Sequence, residues 1–392
     1  MTTVVKNTET DILKEIDKIK RIYLDYKNYI PSPREVLEIL QKEQISLEDT
    51  AKLLNINDKE LILLIAKKAQ EITRRNFGCV IFLYTPLYVS NYCQNECLYC
   101  GFSIKNEVGR RKLNYEEVEE ELKSIKNTGI DSVIILTGED RNSTPFEYIK
   151  EVCRIATLYM SEVSIEVYPL NLEEYHELSK IGVVGITMYQ ETYQKDVYEE
   201  LHVKGPKRDF LYRLTGIERA INAGFHEVCI GPLLGLGIPK LDVLITLAHS
   251  DYILNKYPKT ELSISFPRFR NPGIVFSPKH SVSDKEFLKY LFVTRLYQPR
   301  AGIVLSTREN AKIRDTLIEI CVTKMSAGSK TSVGGYTLQS KSISNNDEEY
   351  IKYVQFEVED TRSVSEIIEV IKSKKLMPEF TNWVGGLVKH EF

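Results

Sequence analysis

Two hydrophobic patterns divide the chain. In residues 12–26 and 61–77, apolar residues recur at helical spacing, which predicts amphipathic helices. From Cys79 onward, short apolar runs rich in β-branched residues alternate with helical segments, which is typical of an α/β protein. We therefore expect a helical N-terminal extension, residues 1–78, in front of a larger α/β unit.

Helix-start and helix-end residues support this division. A capping box, in which a side-chain oxygen is followed three residues later by an acid, occurs at Ser46 and Asp49, at Asn57 and Glu60, and at Asn114 and Glu117. Gly78 is expected to end the last helix of the extension, because glycine adopts the backbone conformation that stops a helix. Residues 209–223 predict one further helix within the α/β unit.

Eight short apolar runs predict the strands of that unit. They are CVIFLY (79–84), SVIILT (132–137), VSIEVY (163–168), VVGITM (183–188), EVCIGP (227–232), ELSISF (261–266), GIVLS (302–306) and IEICVT (318–323). Runs of this kind are typical of parallel strands that are covered on both faces. Eight strand–helix units predict a (β/α)8 barrel of the TIM type over residues 79–330. The short helix expected at 309–317 leaves an incomplete barrel as the alternative.

The end of the chain has a different pattern and predicts a C-terminal extension, residues 331–392, that packs on the barrel. Residues 326–347 are rich in glycine and serine and predict loop. YIKYVQFEVED (350–360) is compatible with a strand, and residues 363–376 predict a helix. The only tryptophan, Trp383, follows that helix.

Composition narrows the class of protein. Of the 392 residues, 43% are hydrophobic and 27% are charged, as in soluble globular proteins. The formal net charge of −3 argues against nucleic acid or an acidic membrane surface as the partner. No apolar run approaches the ~20 residues of a membrane span, and the N-terminus lacks the apolar core of a signal peptide. Seven cysteines, mostly scattered, favour a reducing cytoplasm over a disulfide framework.

Three of those cysteines carry the chemistry. Cys93, Cys97 and Cys100 have the spacing C-x3-C-x2-C within the loop 88–102. They are one ligand short of a closed structural zinc site, and no histidine precedes His176. Three thiolates suit a [4Fe–4S] cluster whose fourth iron is left open for a small molecule. A zinc site and a chance grouping are the alternatives. The remaining cysteines lie in apolar runs or helices and are expected to be packing residues: Cys79, Cys153, Cys229 and Cys321.

With Tyr99 as the aromatic residue, the motif C-x3-C-x-Y-C resembles the signature of the radical S-adenosylmethionine (SAM) superfamily. The resemblance implies that the open iron binds SAM, which is then cleaved reductively to a 5′-deoxyadenosyl radical. Flanking motifs are similar to those of the tyrosine lyases of thiazole (thiamine) biosynthesis, the 2-iminoacetate synthases. They include PLYVSNYCQNECLYCGFS, LTGEDR, VYPL, YQETYQKDVYEELHVKGPKRDFLYR, SFPRFR, LSTREN and SAGSKTSVGGY, and they span residues 82–336.

The resemblance implies a set of SAM-binding residues: Tyr99, Thr137, Gly138, Glu139, Glu166, Gln190, Glu191 and Arg213. Residues 137–139 match the segment that receives the amino group of SAM, Glu166 matches the acid that binds its ribose, and Arg213 matches an arginine at its carboxylate end. Residues 230–237 match the stretch along the adenine. The alternatives are an ordinary strand-to-helix turn at 137–139, a solvent-facing acid at Glu166 and a solvated helix charge at Arg213.

The substrate residues are also implied by the resemblance. Arg308 follows the seventh predicted strand, and its guanidinium fork suits the α-carboxylate of an amino acid. Tyr88 and Ser326 match positions near the amino acid in the family. Arg268 and Arg270 are alternative carboxylate anchors. The sequence assigns no role to His202 and Lys204 of the shared HVKGPK segment.

The implied reaction is cleavage of the Cα–Cβ bond of L-tyrosine to 2-iminoacetate (dehydroglycine) and p-cresol. The implied protein partners are a thiazole synthase and an electron donor such as flavodoxin or ferredoxin. Two alternatives share the scaffold: a tryptophan lyase, and the [FeFe]-hydrogenase maturase that makes carbon monoxide and cyanide from tyrosine. The maturase carries a second cysteine-bound cluster in a C-terminal extension, whereas the last cysteine of this sequence is Cys321. A non-catalytic metal-binding module is the alternative from another class.

Overall fold

The structure, a computed structural model, describes residues 2–271, 273–337, 355–356 and 358–381. Within these residues, no helix combines the length and the apolarity that a bilayer span requires. The possible strand at 350–360 and the loop expected at 326–347 are only partly included, and Trp383 lies outside the described residues.

Four helices form the N-terminal extension: α1 (Thr2–Tyr26), α2 (Pro33–Gln41), α3 (Leu47–Leu53) and α4 (Lys59–Phe77). The capping box of Ser46 and Asp49 is present as predicted. The predicted cap at Asn57 is wrong by one residue, because the neighbouring Asp58 carboxylate accepts the hydrogen bond from the Leu61 amide at 2.9 Å. Gly78 ends α4 with a φ of 62°, as expected for glycine at this position.

Eight parallel strands of the described residues form the barrel: β1 (Val80–Ser90), β2 (Ser132–Thr137), β3 (Glu162–Glu166), β4 (Gly185–Glu191), β5 (Glu227–Pro232), β6 (Glu261–Ser265), β7 (Gly302–Leu305) and β8 (Lys324–Ser326). Each strand pairs with the next along the chain. β8 pairs with β1, with Phe82 opposite Lys324, and this pairing closes the barrel. The predicted (β/α)8 fold is therefore confirmed, and the alternative of an incomplete barrel is excluded.

The helices that follow the strands form the outer layer: α5 (Tyr115–Lys126), α6 (Phe146–Tyr159), α7 (Leu172–Lys180), α8 (Lys195–Leu201), α9 (Phe210–Leu214), α10 (Gly216–Asn222), α11 (Pro239–Lys256), α12 (Asp284–Tyr297), α13 (Ala311–Ile320) and α14 (Val364–Ser373). Asn114 and Glu117 cap α5 as predicted. The helix predicted at 209–223 is two helices that meet at Thr215, where the hydroxyl and the amide of Thr215 both donate to the Leu211 carbonyl, at 2.8 and 3.0 Å.

The eighth predicted strand is wrong. Residues 318–320 belong to α13, and the strand begins at Lys324. Ile313, Leu317 and Ile318 are buried at helical spacing, so the apolar run that suggested a strand is the inner face of the helix end. The true strand has three residues and is too short to be recognised from its own pattern.

The two terminal segments pack against the barrel. In the extension, α1 packs on α11, and α4 packs on α12 and α13. Lys289 is buried and donates to the Ile56 carbonyl at 2.8 Å, and Lys240 donates to the Asn55 amide oxygen at 2.8 Å. At the other end, α14 confirms the helix predicted at 363–376. It leads into β9 (Met377–Glu379), which pairs in parallel with the start of β1.

Candidate active site

A deep cavity opens at the carboxyl ends of the barrel strands, where (β/α)8 barrels carry their active sites. One side is formed by the cysteine loop after β1, and the floor reaches Lys324 of β8. The predicted site residues that line it are Tyr88, Cys93, Cys97, Tyr99, Cys100, Thr137, Gly138, Glu139, Glu166, Glu191, Arg213, Arg308 and Ser326. The barrel thus brings residues that are far apart in the sequence to one cavity.

The cysteine loop is tied to a distant segment of the chain. Glu96–Cys97 forms a two-residue strand that pairs antiparallel with His202–Lys204, and we call this pair the loop ribbon. At its end, Gly205 has a φ of 99°, and a Cβ there would lie 2.3 Å from the Asn95 side-chain oxygen. Only glycine fits this turn, which holds the HVKGPK segment against the cysteine loop.

The three thiols are largely withdrawn from solvent: Cys97 is buried, and Cys93 and Cys100 are half-buried. Burial raises the pKa of Cys97 well above its usual value, and Cys100 and Cys93 add to this shift. Burial likewise raises the pKa of Cys100 to about 11, with Cys93 adding to the effect. The thiols are therefore close enough to influence one another, and a bound metal centre is what would stabilise them as thiolates.

The donor set fits an iron–sulfur cluster better than a single ion. Among the described residues, no three His, Cys, Asp or Glu side chains are grouped as ligands of one metal ion. A four-iron cluster does not require such convergence, because each thiolate binds a different iron. Three cysteines would leave the fourth iron facing the cavity, where the charged residues described below are placed.

Tyr99 and His202 lock the ribbon from inside. The Tyr99 hydroxyl lies 2.8 Å from His202 Nε2, and His202 Nδ1 lies 2.7 Å from the Tyr198 carbonyl oxygen. Because a carbonyl can only accept, Nδ1 carries the proton and Nε2 accepts from Tyr99. Burial lowers the pKa of His202 to about 3, so the ring is neutral. His202, which had no predicted role, is thus a structural support for the aromatic residue of the motif.

Four buried charges form a network beside the cysteines: Glu139, Glu191, Lys207 and Arg213. Arg213 Nη1 lies 2.8 Å from Glu139 Oε1, and Lys207 Nζ lies 2.7 Å from Glu191 Oε1. The cross pairs are longer, 3.7 Å for Lys207 with Glu139 and 3.6 Å for Arg213 with Glu191. Burial would raise the pKa of Glu139, but the charges of Lys207 and Arg213 hold it below its usual value. Both acids are therefore ionised.

The backbone at Glu191 is strained in a way that serves this network. Glu191 has a φ of 69°, a left-handed conformation that costs a non-glycine residue about 1–3 kcal/mol. It lies at a register shift between β4 and β5, and its carboxylate is directed to Lys207. The structure does not bring the neighbouring Gln190 into the cavity. Its amide nitrogen donates to the Phe210 carbonyl at 3.3 Å instead.

The turn after β2 leaves a hydroxyl group available. The Gly138 amide donates to the Ser90 carbonyl at 2.9 Å, and a Cβ on Gly138 would lie 2.2 Å from the Tyr92 carbonyl oxygen. Glycine is needed for this close approach of two backbone segments. The Thr137 hydroxyl is buried and has no hydrogen-bond partner among the described residues, so it is a polar group that a ligand could satisfy.

Glu166 faces the cavity near the end of β3 without a compensating hydrogen bond among the described residues. Burial, together with the nearby charge of Glu191, raises its pKa to about 7, although the charge of Arg308 opposes the shift. A carboxyl group poised near neutral pH in a cavity is typical of a ligand-binding or catalytic position. In the stretch 230–237, Leu233 lines the cavity, and Gly231 packs against the Ser265 carbonyl oxygen.

Arg308 differs from the two alternative arginines. Arg268 is paired with Glu309 and with Asp284, and Arg270 lies 3.3 Å from Glu309. Arg308 has no carboxylate partner among the described residues, and its guanidinium carbon stacks 3.4 Å from the centre of the Phe356 ring. Of these three arginines, Arg308 is therefore the one best placed to bind the carboxylate of a ligand by donating hydrogen bonds to it.

Ser326 and Tyr88 support that part of the cavity. Ser326 Oγ accepts from the Thr307 amide at 3.2 Å and so fixes the loop that carries Arg308. The Tyr88 hydroxyl donates to the side-chain oxygen of Gln355 at 2.7 Å. Gln355 and Phe356 both line the cavity, so the segment after the barrel contributes to its wall.

Four residues of the site were not predicted from the sequence: Asn95, Lys207, Gln355 and Phe356. Asn95 donates to Glu139 at 2.9 Å and accepts from the Lys207 amide at 3.0 Å. The glycine between His202 and Lys207 was the available signal, since a glycine in a shared segment indicates a close backbone contact. For Gln355 and Phe356, the possible strand at 350–360 gave no indication of what it would face.

Comparisons with known proteins agree with this geometry. Residues 87–248 match the Radical SAM superfamily, and residues 254–377 match the Biotin and Thiamin Synthesis associated domain. The chain is 31% identical over 354 residues to a 2-iminoacetate synthase of Salmonella typhimurium, covering 90% of this chain and 91% of that protein.

Two solved structures are also similar over most of the chain. One is HydG, described as a maturase of the [FeFe]-hydrogenase, with a TM-score of 0.86 and 34% identity over 94% of this chain and 81% of that chain. The other is HydG from Carboxydothermus hydrogenoformans, with a TM-score of 0.86 and 32% identity over 95% of this chain and 86% of that chain. The cysteine loop, the barrel and these similarities lead to one conclusion: the chain belongs to the radical SAM superfamily, in the family of carbon–carbon lyases that includes the 2-iminoacetate synthases, and its cofactors are a [4Fe–4S] cluster and SAM.

Proposed function

We propose that this chain is a 2-iminoacetate synthase that cleaves the Cα–Cβ bond of L-tyrosine. The observation that carries the proposal is Arg308, a guanidinium without a carboxylate partner in the described residues, on the wall of the cavity that holds the three cysteines. The similarity to the Salmonella enzyme, which covers 91% of that protein, supports the same substrate. The products, 2-iminoacetate and p-cresol, together have the elemental composition of tyrosine. The hydrogen atom that passes to 5′-deoxyadenosine is replaced in p-cresol by one proton and one electron, which an external reductant supplies.

The cofactors supply the radical chemistry: reductive cleavage of SAM provides a 5′-deoxyadenosyl radical that can remove a hydrogen atom from the substrate. The protein supplies the position of the reactants. In this proposal Cys93, Cys97 and Cys100 would hold the cluster, whose open iron would be available to bind SAM. In the proposal, the ionised Glu139 and the buried Thr137 hydroxyl, which has no partner among the described residues, are the acceptors for the SAM amino group.

Glu166 and Arg213 complete the SAM site in the proposal. The Glu166 carboxylate has unused acceptor capacity for the two hydroxyls of a ribose. Arg213 is anchored by the Tyr189 carbonyl at 2.7 Å and by Glu139, so its charge is held beside the cavity at a fixed position. Tyr99, which His202 supports, is expected to contact the adenine end.

Arg308 orients the amino acid in the proposal. A bidentate contact with the α-carboxylate fixes the amino nitrogen relative to the carboxylate, so the nitrogen rather than Cβ can be presented to the radical. Tyr88 and Phe356 form aromatic walls beside Arg308. Their surfaces suit the phenol side chain and help to exclude water from the reactive species.

The proposal also concerns the product. 2-Iminoacetate is an imine that water hydrolyses, so a thiazole synthase that consumes it is the expected partner. Rapid transfer between the two enzymes would protect the imine.

The test is anaerobic reconstitution of the cluster, followed by incubation with SAM, dithionite and L-tyrosine. We expect p-cresol and 2-iminoacetate, detected as glyoxylate after hydrolysis, without carbon monoxide or cyanide. The HydG similarity favours the maturase reaction as the second candidate, and it predicts carbon monoxide and cyanide from the same incubation. Indole products from L-tryptophan, with tyrosine left intact, would refute both.

A further inference from the structure

The outer surface of the cysteine loop has an exposed apolar centre. Leu98, Ile104 and Val203 are 41%, 53% and 40% exposed, although all three are aliphatic. Leu98 directly follows the ligand Cys97 and its amide donates to the Leu201 carbonyl, while the Ile104 amide donates to the Asn95 carbonyl. The three residues therefore belong to neighbouring parts of the loop and the ribbon. We call this surface, residues 94–112 and 202–209, the loop face.

The loop face is positive although the chain is negative. Of the side chains in residues 94–112 and 202–209, four basic ones are exposed and only two acidic ones, whereas the formal net charge of the chain is −3. The basic ones are Lys105, Lys112, Lys204 and Arg208, and the acidic ones are Glu107 and Asp209. Lys204 and Arg208 are exposed and have no carboxylate partner in the part of the chain that the structure describes. Lys105 is also exposed and lies 2.5 Å from Glu96. An apolar centre with unpaired basic residues around it suits an acidic protein partner.

The position of the loop face beside the cluster ligands indicates that its partner is an electron donor. The inner side of the cysteine loop faces the cavity that SAM and substrate would fill. An electron from a protein donor must therefore reach the cluster from the outer side. Electron transfer slows steeply with distance, and Leu98 places the loop face one residue from a cluster ligand.

We propose that the loop face is the docking surface for a small acidic protein that carries one electron at a time, such as a flavodoxin or a ferredoxin. The proposal rests on the radical SAM assignment and does not depend on which amino acid is cleaved. The basic residues of the loop face attract the acidic donor over a range that shortens as the salt concentration rises. The apolar centre of the face then packs against the bound donor.

In the test, a reduced acidic flavodoxin reduces the reconstituted [4Fe–4S] enzyme at low salt. The rate of this reduction is measured by stopped-flow absorbance. In the double variant Lys204→Glu and Arg208→Glu, we expect the second-order rate constant to fall about tenfold or more, because attraction becomes repulsion. Ile104→Asp tests the apolar centre in a separate variant and should also slow the reaction. Iron content and the rate of reduction by dithionite, which needs no docking surface, should stay at wild-type values.

Lys259→Glu is the matched control, because Lys259 is an exposed lysine in the turn before β6, at the opposite end of the barrel. We expect this variant to be reduced at the wild-type rate. Wild-type reduction of the double variant by flavodoxin, or equal slowing by Lys259→Glu, would overturn the proposal. Tyrosine cleavage driven by dithionite is a separate readout, so failure of the lyase assignment is distinguishable from failure of the docking proposal.

Discussion

The two sides of the cavity treat buried charge in opposite ways. On one side, which we call the network wall, Glu139, Glu191, Lys207 and Arg213 neutralise one another at contact distances. On the other, the open wall, Glu166 and Arg308 face the cavity, and neither has an ion-pair partner among the described residues. The network wall is complete without a ligand, whereas the open wall has binding capacity left over.

This difference has an energetic meaning. A buried charge is costly unless it is paired. In the network wall, the ion pairs offset the desolvation cost of burying two acids and two bases. The charges of the open wall carry a desolvation cost that no protein partner offsets. Polar groups of a bound ligand can offset it by pairing with these side chains. We therefore expect changes in the network wall to reduce stability and changes in the open wall to reduce binding and turnover.

The largest effect is expected from Glu139→Ala. This change removes the carboxylate to which Arg213 and Asn95 donate and leaves Glu191 as the one acid of the network beside both Lys207 and Arg213. The free energy of unfolding should fall by about 3–5 kcal/mol, the usual cost of breaking a buried ion pair. Urea denaturation under anaerobic conditions would measure it. Glu147→Ala is the control, because Glu147 is 77% exposed and a surface pair contributes little. Equal stability of the two variants would contradict the idea of a network wall.

Arg308→Gln should have the opposite profile. No protein carboxylate is lost with the guanidinium, and the stack on Phe356 is the contact that disappears, so stability should fall by only about 1 kcal/mol. Loss of a charged contact to the α-carboxylate should lower kcat/KM for tyrosine about a hundredfold or more, equivalent to about 3 kcal/mol. SAM binding should be retained. Arg300→Gln, at an exposed arginine before β7, is the control and should leave kcat/KM unchanged. Wild-type turnover by Arg308→Gln would remove Arg308 from the proposed substrate site.

The pKa of Glu166 predicts how SAM binding depends on pH. Burial raises this pKa from 4.5 to about 7 in the folded protein, so the carboxyl group is protonated below pH 7 and loses acceptor capacity for the ribose. The buried site favours the protonated form of Glu166. The resulting contribution to the free energy of unfolding is fully present below pH 4.5 and is lost as the pH rises through 7. SAM affinity should instead fall by up to about tenfold per pH unit below 7. Equilibrium dialysis would measure it. In Glu166→Gln, affinity should be weaker and independent of pH, and a persistent pH dependence would point to another group.

The smallest effect is expected from Gln355→Ala. The Tyr88 hydroxyl would lose its acceptor, which is worth about 1 kcal/mol for a single hydrogen bond. The KM for tyrosine should rise about fivefold with little change in kcat, because the contact shapes the pocket without touching the reacting atoms. Gln41→Ala, at an exposed position at the end of α2, is the control. A kcat effect larger than the KM effect would give Gln355 a closer role in the reaction.

The sequence identified the parts of the site that rest on local pattern. The spacing of Cys93, Cys97 and Cys100 and the alternation of apolar runs with helices both follow from short stretches of chain, and the barrel is confirmed. The eighth strand was misplaced, because a short apolar run at a helix end cannot be distinguished from a buried strand by periodicity alone.

The missed residues depend on contacts between distant parts of the chain. Lys207 gains its role from Glu191 and from Asn95, and the latter precedes it by 112 residues. Gln355 meets Tyr88 across 267 residues. Gln190 and Glu191 were both expected at the cofactor because they follow the fourth predicted strand. The alternation of side chains in β4 and the left-handed turn at Glu191 direct the two residues to different sides. Such arrangements follow from the closed barrel and have no signature in the local sequence.

The loop ribbon also affects how the cysteine loop would respond to loss of its cluster. Oxygen degrades exposed iron–sulfur clusters, and a protein that relied on its metal to fold would be lost with each oxidation. Here backbone pairing at Cys97, the fit of Gly205 against Asn95 and the bond from Tyr99 to His202 hold the loop through contacts made by protein atoms. We therefore expect the loop to keep its backbone when the cluster is lost, so that iron and sulfide can be restored without refolding of the chain. The lifetime of the protein would then exceed that of any one cluster.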